Sequence, residues 1–234
     1  MGTRKIKKQV LSLLEGQHLE NIVNDIGKLP EKDVINALFS GICRSEERIR
    51  WHAVSCMGIM VSRLAAQDFE EARIIMRRLL WSLNDESGGI GWGAPEAMAE
   101  IMSKQEALAA EYVHMLISYM REDGDEPLQD GNFLEHETLQ QGLLWGAGRL
   151  ALTRRLLVLD KGMAADIPPY LEAGDGRVRG LAVRAMGFLG IPVMVDKIKS
   201  LRDDLHPVSL YEEGKFWTVT VGDLARQTLQ RFEN

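Results

Sequence analysis

Apolar residues recur along this chain with the spacing of a helix face. In the stretch 5–14, Ile6, Val10, Leu13 and Leu14 fall on one side with lysines opposite, and Leu19, Ile22, Val23 and Ile26 repeat the arrangement. Pro30, favoured in a first helical turn, opens a further helix carrying Val34, Ile35, Leu38 and Phe39. Helices are then predicted over 69–83, 106–120, 166–173 and 192–201. Each is followed by a second segment of one repeated pattern.

That pattern occupies 49–60, 90–101, 139–150, 178–189 and 221–232. Every copy starts on an aliphatic residue, has an apolar residue four positions on, and carries a small or apolar pair at positions seven and eight. The position-four residues are Ala53, Ala94, Leu143, Ala182 and Ala225, spaced by 41, 49, 39 and 43 residues. A period near forty with one helix visible per copy predicts an all-α fold, an α-solenoid of about five helical pairs. Positions 0, 4, 7, 8 and 11 form one helical face and are assigned to the core, as in Val178, Ala182, Ala185, Met186 and Leu189. The expected organisation is a single domain over 1–234: capping helices in 1–30, repeats in 31–204, and a hairpin with a closing helix in 205–234. Residues 208–211 and 216–221 are rich in β-branched and aromatic types and flank a short polar turn, which reads as a β-hairpin. Thr220 and Asp223 have the spacing of a cap for the last helix. The segment 121–132 is acidic and turn-rich, and reads as a solvated loop.

Residues 175–187, with Asp175, the Val178–Arg179 pair, Ala182, Ala185 and Gly187, resemble the HEAT-like repeat in the variety named after phycobilisome lyases. The stretch 46–58 is similar, through Ile49, Arg50, Ala53, Cys56, Met57 and Gly58. The second and third copies lack the arginine, having Gly91 and Gln140 there, and the last keeps only Val221, Ala225 and Leu229. The resemblance implies an armadillo-type superhelix. It leaves function open, since such repeats occur in lyases, regulators and plain scaffolds.

Composition narrows the classes. The net charge is −6, and the basic residues cluster only in 4–8, on the solvated side of the first helix, which argues against a nucleic-acid partner. No apolar run is long enough for a membrane helix, and no secretory leader is visible. The two cysteines make no disulfide framework, and Cys56 falls at a core position. A cytoplasmic, bacterial-type protein is expected. The five histidines are scattered, and the chain has no H-E-x-x-H, C-x-x-C or G-x-S-x-G motif, so no catalytic residue, metal ligand or cofactor is assigned. Glu135, His136 and Glu137 could touch a metal, but neighbours on a helix point apart.

Positions 2, 6 and 10 of the second helices face away from the core stripe, toward the concave side that stacked repeats use for binding. The partner-binding candidates drawn from this face are Trp51, Trp92, Glu96, Trp145, Arg149 and Arg184. Tryptophan and arginine are the residues that most often anchor a protein or peptide partner. The competing reading packs the indoles between neighbouring repeats. A second candidate is the glycine-rich turn with Asp85, Gly88, Gly89, Gly91 and Gly93, which either shapes a ligand site or lets repeats approach closely. The functional expectation is a non-catalytic scaffold or adaptor that binds a protein or peptide on its concave face. The alternative is a lyase-like or DNA-base-processing enzyme, for which Trp92 with Asp85 or Glu96, or a His52–Glu96 acid–base pair, would be the chemistry.

Overall fold

A computed structural model describes residues 2–84, 91–122 and 133–233. The order is α1 (Thr3–Leu14), α2 (Leu19–Ile26), α3 (Glu31–Ile42), α4 (Glu47–Ala65), α5 (Phe69–Leu83), α6 (Ala94–Lys104), α7 (Glu106–Ser118), α8 (Glu137–Thr153), α9 (Arg155–Asp160) and α10 (Met163–Asp166). A 3₁₀ turn (Pro168–Glu172) follows, then α11 (Gly176–Leu189), α12 (Val195–Ser200), β1 (Pro207–Glu212), β2 (Lys215–Thr220) and α13 (Val221–Glu233). Two compact units divide the chain. The first is Met1–Ala109 with Tyr211–Lys215, and the second is Ala110–Leu210 with Phe216–Asn234.

In the first unit α4 is the hub, packed by α3, α5 and α6, with α1 against α3. Every residue of α4 from Trp51 to Gly58 is buried. A helix covered on all sides needs close approaches, and small residues provide them. A Cβ on Gly41 would sit 2.8 Å from the Ala53 Cβ, and one on Gly58 would sit 2.6 Å from Glu100 Cγ. In the second unit α11 plays the same part between α8 and α13. There Gly187 makes room for Thr228, whose hydroxyl donates to the Val183 carbonyl at 3.0 Å.

Local chemistry sets the boundaries. Asp68 caps α5 by accepting from the Glu70 and Glu71 amides, each at 3.1 Å. Asp175 caps α11 through the Val178 amide at 2.8 Å and also accepts from Gln141 Nε2 at 3.2 Å. The arginine of the repeat signature is explained in the same place. Arg179 donates to the Ala173 and Gly174 carbonyls at 2.7 and 2.8 Å and to Asp204 at 2.7 Å, tying the turn before its own helix to the next segment.

Two segments differ from the sequence expectation. In the second copy of the repeat the described residues are not helical before Ala94. Residues 91–93 form a turn and α6 begins at Ala94, because Gly93 takes a left-handed conformation (φ +77°) that stops any helix there. Ile90 lies outside the described residues, as does 123–132 of the acidic segment. The single helix expected over 166–173 is instead α10 followed by a 3₁₀ turn, since Pro168 and Pro169 supply no amide hydrogens for an α-helical ladder.

The hairpin and its cap form as expected. Thr220 donates its amide and hydroxyl to Asp223 Oδ2 at 2.9 and 2.7 Å, while the Asp223 amide donates to Thr220 Oγ1 at 3.0 Å. This closed box at the start of α13 holds the Asp223 carboxyl down at about 2, first through the Thr220 backbone amide. We expect Thr220→Ala to lower stability by about 1 kcal/mol in urea denaturation. The depressed carboxyl works in the same direction as any salt-bridged acid. Its stabilisation is complete above pH 3.8 and is lost as pH falls through about 2. An Asp223→Asn variant should therefore show a flatter loss of Tm in that window.

Candidate functional site

In the first unit, Trp51 lies on α4 and is covered by Tyr211 from the tip of the hairpin. The rings stack with centroids 4.9 Å apart and planes 17° from parallel. The Tyr211 hydroxyl shares a 2.7 Å hydrogen bond with Ser55 Oγ, one turn further along α4. Trp51 is 5% exposed and Tyr211 2%. Burial pushes the phenol's pKa up, so it remains a neutral hydrogen-bonding group. The position-2 and position-6 face of α4 is thus closed by an aromatic side chain from the same unit.

Trp92 is partly exposed and belongs to the 91–93 turn, one residue ahead of the left-handed Gly93. Trp51 and Trp92 share a repeat position, yet one sits inside a helix and the other before one. Gly91 lies against the end of α5, where a Cβ would stand 3.0 Å from the Ser82 carbonyl. Asp85, Gly88 and Gly89 lie outside the described residues. Glu96, in the first turn of α6, is buried and close enough to Cys43 to raise its pKa, after the larger effect of desolvation. Cys43 is held further by a contact from Sγ to the Phe39 carbonyl at 3.4 Å.

Both thiols are thereby kept protonated. Burial pushes Cys56 up to about 12, and Cys43 moves in the same direction. A thiolate nucleophile is disfavoured at each. His52 is likewise committed to structure. A backbone carbonyl can only accept, so His52 Nδ1–H donates to the Leu14 oxygen at 2.8 Å. Burial lowers its pKa below 6.5, with Arg48 acting the same way. The unfolded chain then binds a proton that the folded one refuses, so stability is full above pH 6.5 and falls as pH drops below it. We expect Tm to decline between about pH 7 and 5, and His52→Gln to reduce that slope.

In the second unit, Trp145 and Arg149 are buried on α8 and Arg184 on α11. The Arg184 guanidinium lies 4.7 Å from the centre of the Phe188 ring, and a Cβ on Gly148 would be 3.4 Å from its Nη1. Arg231 approaches the same ring at 4.3 Å, so Phe188 is flanked by two cations.

The second unit also holds a cavity that the repeat pattern does not mark, with a volume near 530 Å³. Met120, Phe133 and Tyr170 line it, with Glu122, Glu135, Glu137 and Asp166 around them. Phe133 and Tyr170 are tilted at 31° with centroids 6.5 Å apart. The Tyr170 hydroxyl donates to the Met120 carbonyl at 3.1 Å. Its pKa is raised by burial first and then by Glu122 and Asp166. The lining cation, Arg121, is paired with Asp166 through contacts of 3.0 and 3.1 Å. Among the described residues no group of three or more His, Cys, Asp or Glu is arranged to hold a metal, and no helix is long and apolar enough to cross a membrane.

No protein-family model and no curated protein matches this chain. Solved structures do. A designed armadillo repeat protein in complex with the peptide (KR)4 is 17% identical over 97% of this chain and 91% of its own, with a TM-score of 0.57. A computationally designed armadillo repeat protein for modular peptide recognition is 15% identical over 97% and 91%, at 0.54. An engineered protein is 14% identical over 100% and 97%, also at 0.54. The fold is therefore a mostly helical armadillo/HEAT-like α-solenoid with a small hairpin before its last helix.

Proposed function

We propose that this chain is a non-catalytic repeat scaffold that binds a protein or peptide and works in the cytoplasm of a bacterial cell. The finer assignment, to HEAT-like repeats of the phycobilisome-lyase type, rests on the signature at 175–187 and 46–58. The observation that carries the functional reading is the repeat architecture itself, whose stacked helix pairs supply extended binding surfaces. A designed protein of similar fold is complexed with the peptide (KR)4, and the net charge of −6 here suits a basic partner.

Within this reading the six residues of the second-helix face divide by exposure. Trp92 offers indole surface directly. Trp51, Glu96, Trp145, Arg149 and Arg184 are buried, and would contribute by fixing the surface that a partner meets. The test is a peptide-library selection on the folded protein, followed by anisotropy titration of the enriched peptide against wild type and Trp92→Ala. Loss of about 2 kcal/mol of binding by a variant with unchanged circular dichroism supports the indole as an anchor. Equal affinity in both proteins removes Trp92 from the site, and no enriched peptide at all removes the peptide-binding reading.

A further inference from the structure

The cavity between the end of α7, the start of α8 and the α10–3₁₀ segment has a composition that selects one kind of guest. Its inner surface is aromatic and thioether, from Phe133, Tyr170 and Met120, while four carboxylates stand around it. Of these, Asp166 is already satisfied by the two-pronged contact from Arg121. Glu122, Glu135 and Glu137 are exposed, and among the described residues that line the cavity Arg121 is the one cation. A volume near 530 Å³ is ample for an extended side chain.

A ring face beside carboxylates is the arrangement that holds a cation: the quadrupole attracts the charge from below and the acids accept its hydrogen bonds from the side. Anions meet like charge at the mouth, and neutral apolar guests would cover carboxylates without pairing them. The phenol pKa of Tyr170 is raised by burial first, with Glu122 and Asp166 adding to the shift.

From this we infer that the α7–α8 cavity is a recognition pocket for an arginine side chain of a basic peptide, the guanidinium lying against Phe133 and Tyr170 and pairing with Glu135 and Glu137. Arginine fits better than lysine, because its flat guanidinium can stack on a ring and bridge two carboxylates at once. The inference rests on the peptide-binding reading and adds to it a position and a chemistry. The position belongs to the second unit and Trp92 to the first.

The experiment uses the full chain and fluorescein-labelled hexaarginine, with the uncharged isostere hexacitrulline beside it. Four proteins are titrated: wild type, Glu135→Gln/Glu137→Gln, Phe133→Ala, and Glu15→Gln/Glu20→Gln as a variant with the same net charge change on an exposed part of the first unit. Charge-assisted hydrogen bonds lost from the pocket should weaken hexaarginine binding by about tenfold or more in the first variant. Phe133→Ala should also weaken it, the charge-matched control should stay within about twofold of wild type, and hexacitrulline should not bind measurably. Equal losses in the pocket variant and the charge-matched variant would show binding to the overall field and overturn the pocket. Hexaarginine binding untouched by either pocket variant would also overturn it while leaving the peptide-binding reading intact. No binding of hexaarginine by wild type would sink the pocket alone, since the library selection decides the broader reading separately.

Discussion

Replacing Trp51 by alanine should cost about 3–5 kcal/mol of folding stability, read as a drop in the urea midpoint with the slope unchanged. The indole is 5% exposed, and what it loses is specific. The stacked face of Tyr211 at 4.9 Å would lie over a void, and the turn of α4 beneath would lose its largest side chain. The hairpin tip would lose its seat at the same time, because Tyr211 is held there by the ring and by Ser55 together. A companion change separates these contributions. Tyr211→Phe keeps the stack and removes the hydroxyl with its 2.7 Å hydrogen bond to Ser55, so it should cost about 1 kcal/mol. Ser55→Ala should cost about the same, and the double variant should cost less than the sum, since the two groups share one bond. A Trp51→Ala protein within about 1 kcal/mol of wild type would mean that the indole is not a core group, and would restore it as a surface for partners.

The contrast between what the residue pattern reveals and what it hides follows from distance along the chain. The bounds of α5 are legible because everything that makes them is local: Asp68 caps the start, and Ala72, Ile75, Met76, Leu79 and Leu83 form a buried stripe at helical spacing. The cap of α13 is legible for the same reason, Thr220 and Asp223 being three residues apart. The closure of α4 by Tyr211 is not. Ser55 and Tyr211 are separated by 156 positions, and nothing local in either segment points to the other. A position-2 tryptophan reads as a surface residue from periodicity alone, because periodicity cannot show what returns from elsewhere to cover it.

The acidic cavity was hidden by a different route. Glu135 and Glu137 look divergent if both are placed on a helix, since side chains two apart point to different sides. Here α8 starts at Glu137, with His136 as its cap residue in extended conformation, and Glu135 lies before the helix. The helix geometry that would part them does not apply, and both reach one cavity. Tyr170 joins them from a 3₁₀ turn that the sequence suggested would be a regular helix. The aromatic, the acids and the turn are each visible as residues, but their convergence depends on where α8 begins and where the proline pair ends the preceding helix.

Gly93→Ala should be the second severe substitution, costing about 2–5 kcal/mol in the same denaturation experiment. Two costs act together. Gly93 has φ +77°, which an L-residue with a Cβ adopts only at a penalty of about 1–2 kcal/mol. A Cβ there would also meet the backbone carbonyl of Ile42, and it would lie 2.9 Å from the Ile42 Cβ. Neither neighbour is the far end of a flexible side chain, so relief requires α3 and the start of α6 to move apart. Gly93→Asn divides the costs, because asparagine tolerates the left-handed region but keeps the collision. It should fall between wild type and alanine if the dihedral matters and match alanine if the collision alone decides. Gly174→Ala is the control, with nothing within 4 Å of its added carbon, and should be nearly neutral. Under the proposal that Trp92 meets a partner, the same substitution acts on binding, because Trp92 directly precedes the left-handed residue. Even a folded Gly93 variant should therefore bind a Trp92-dependent peptide more weakly, and unaltered affinity in such a variant would show that the turn positions no partner contact.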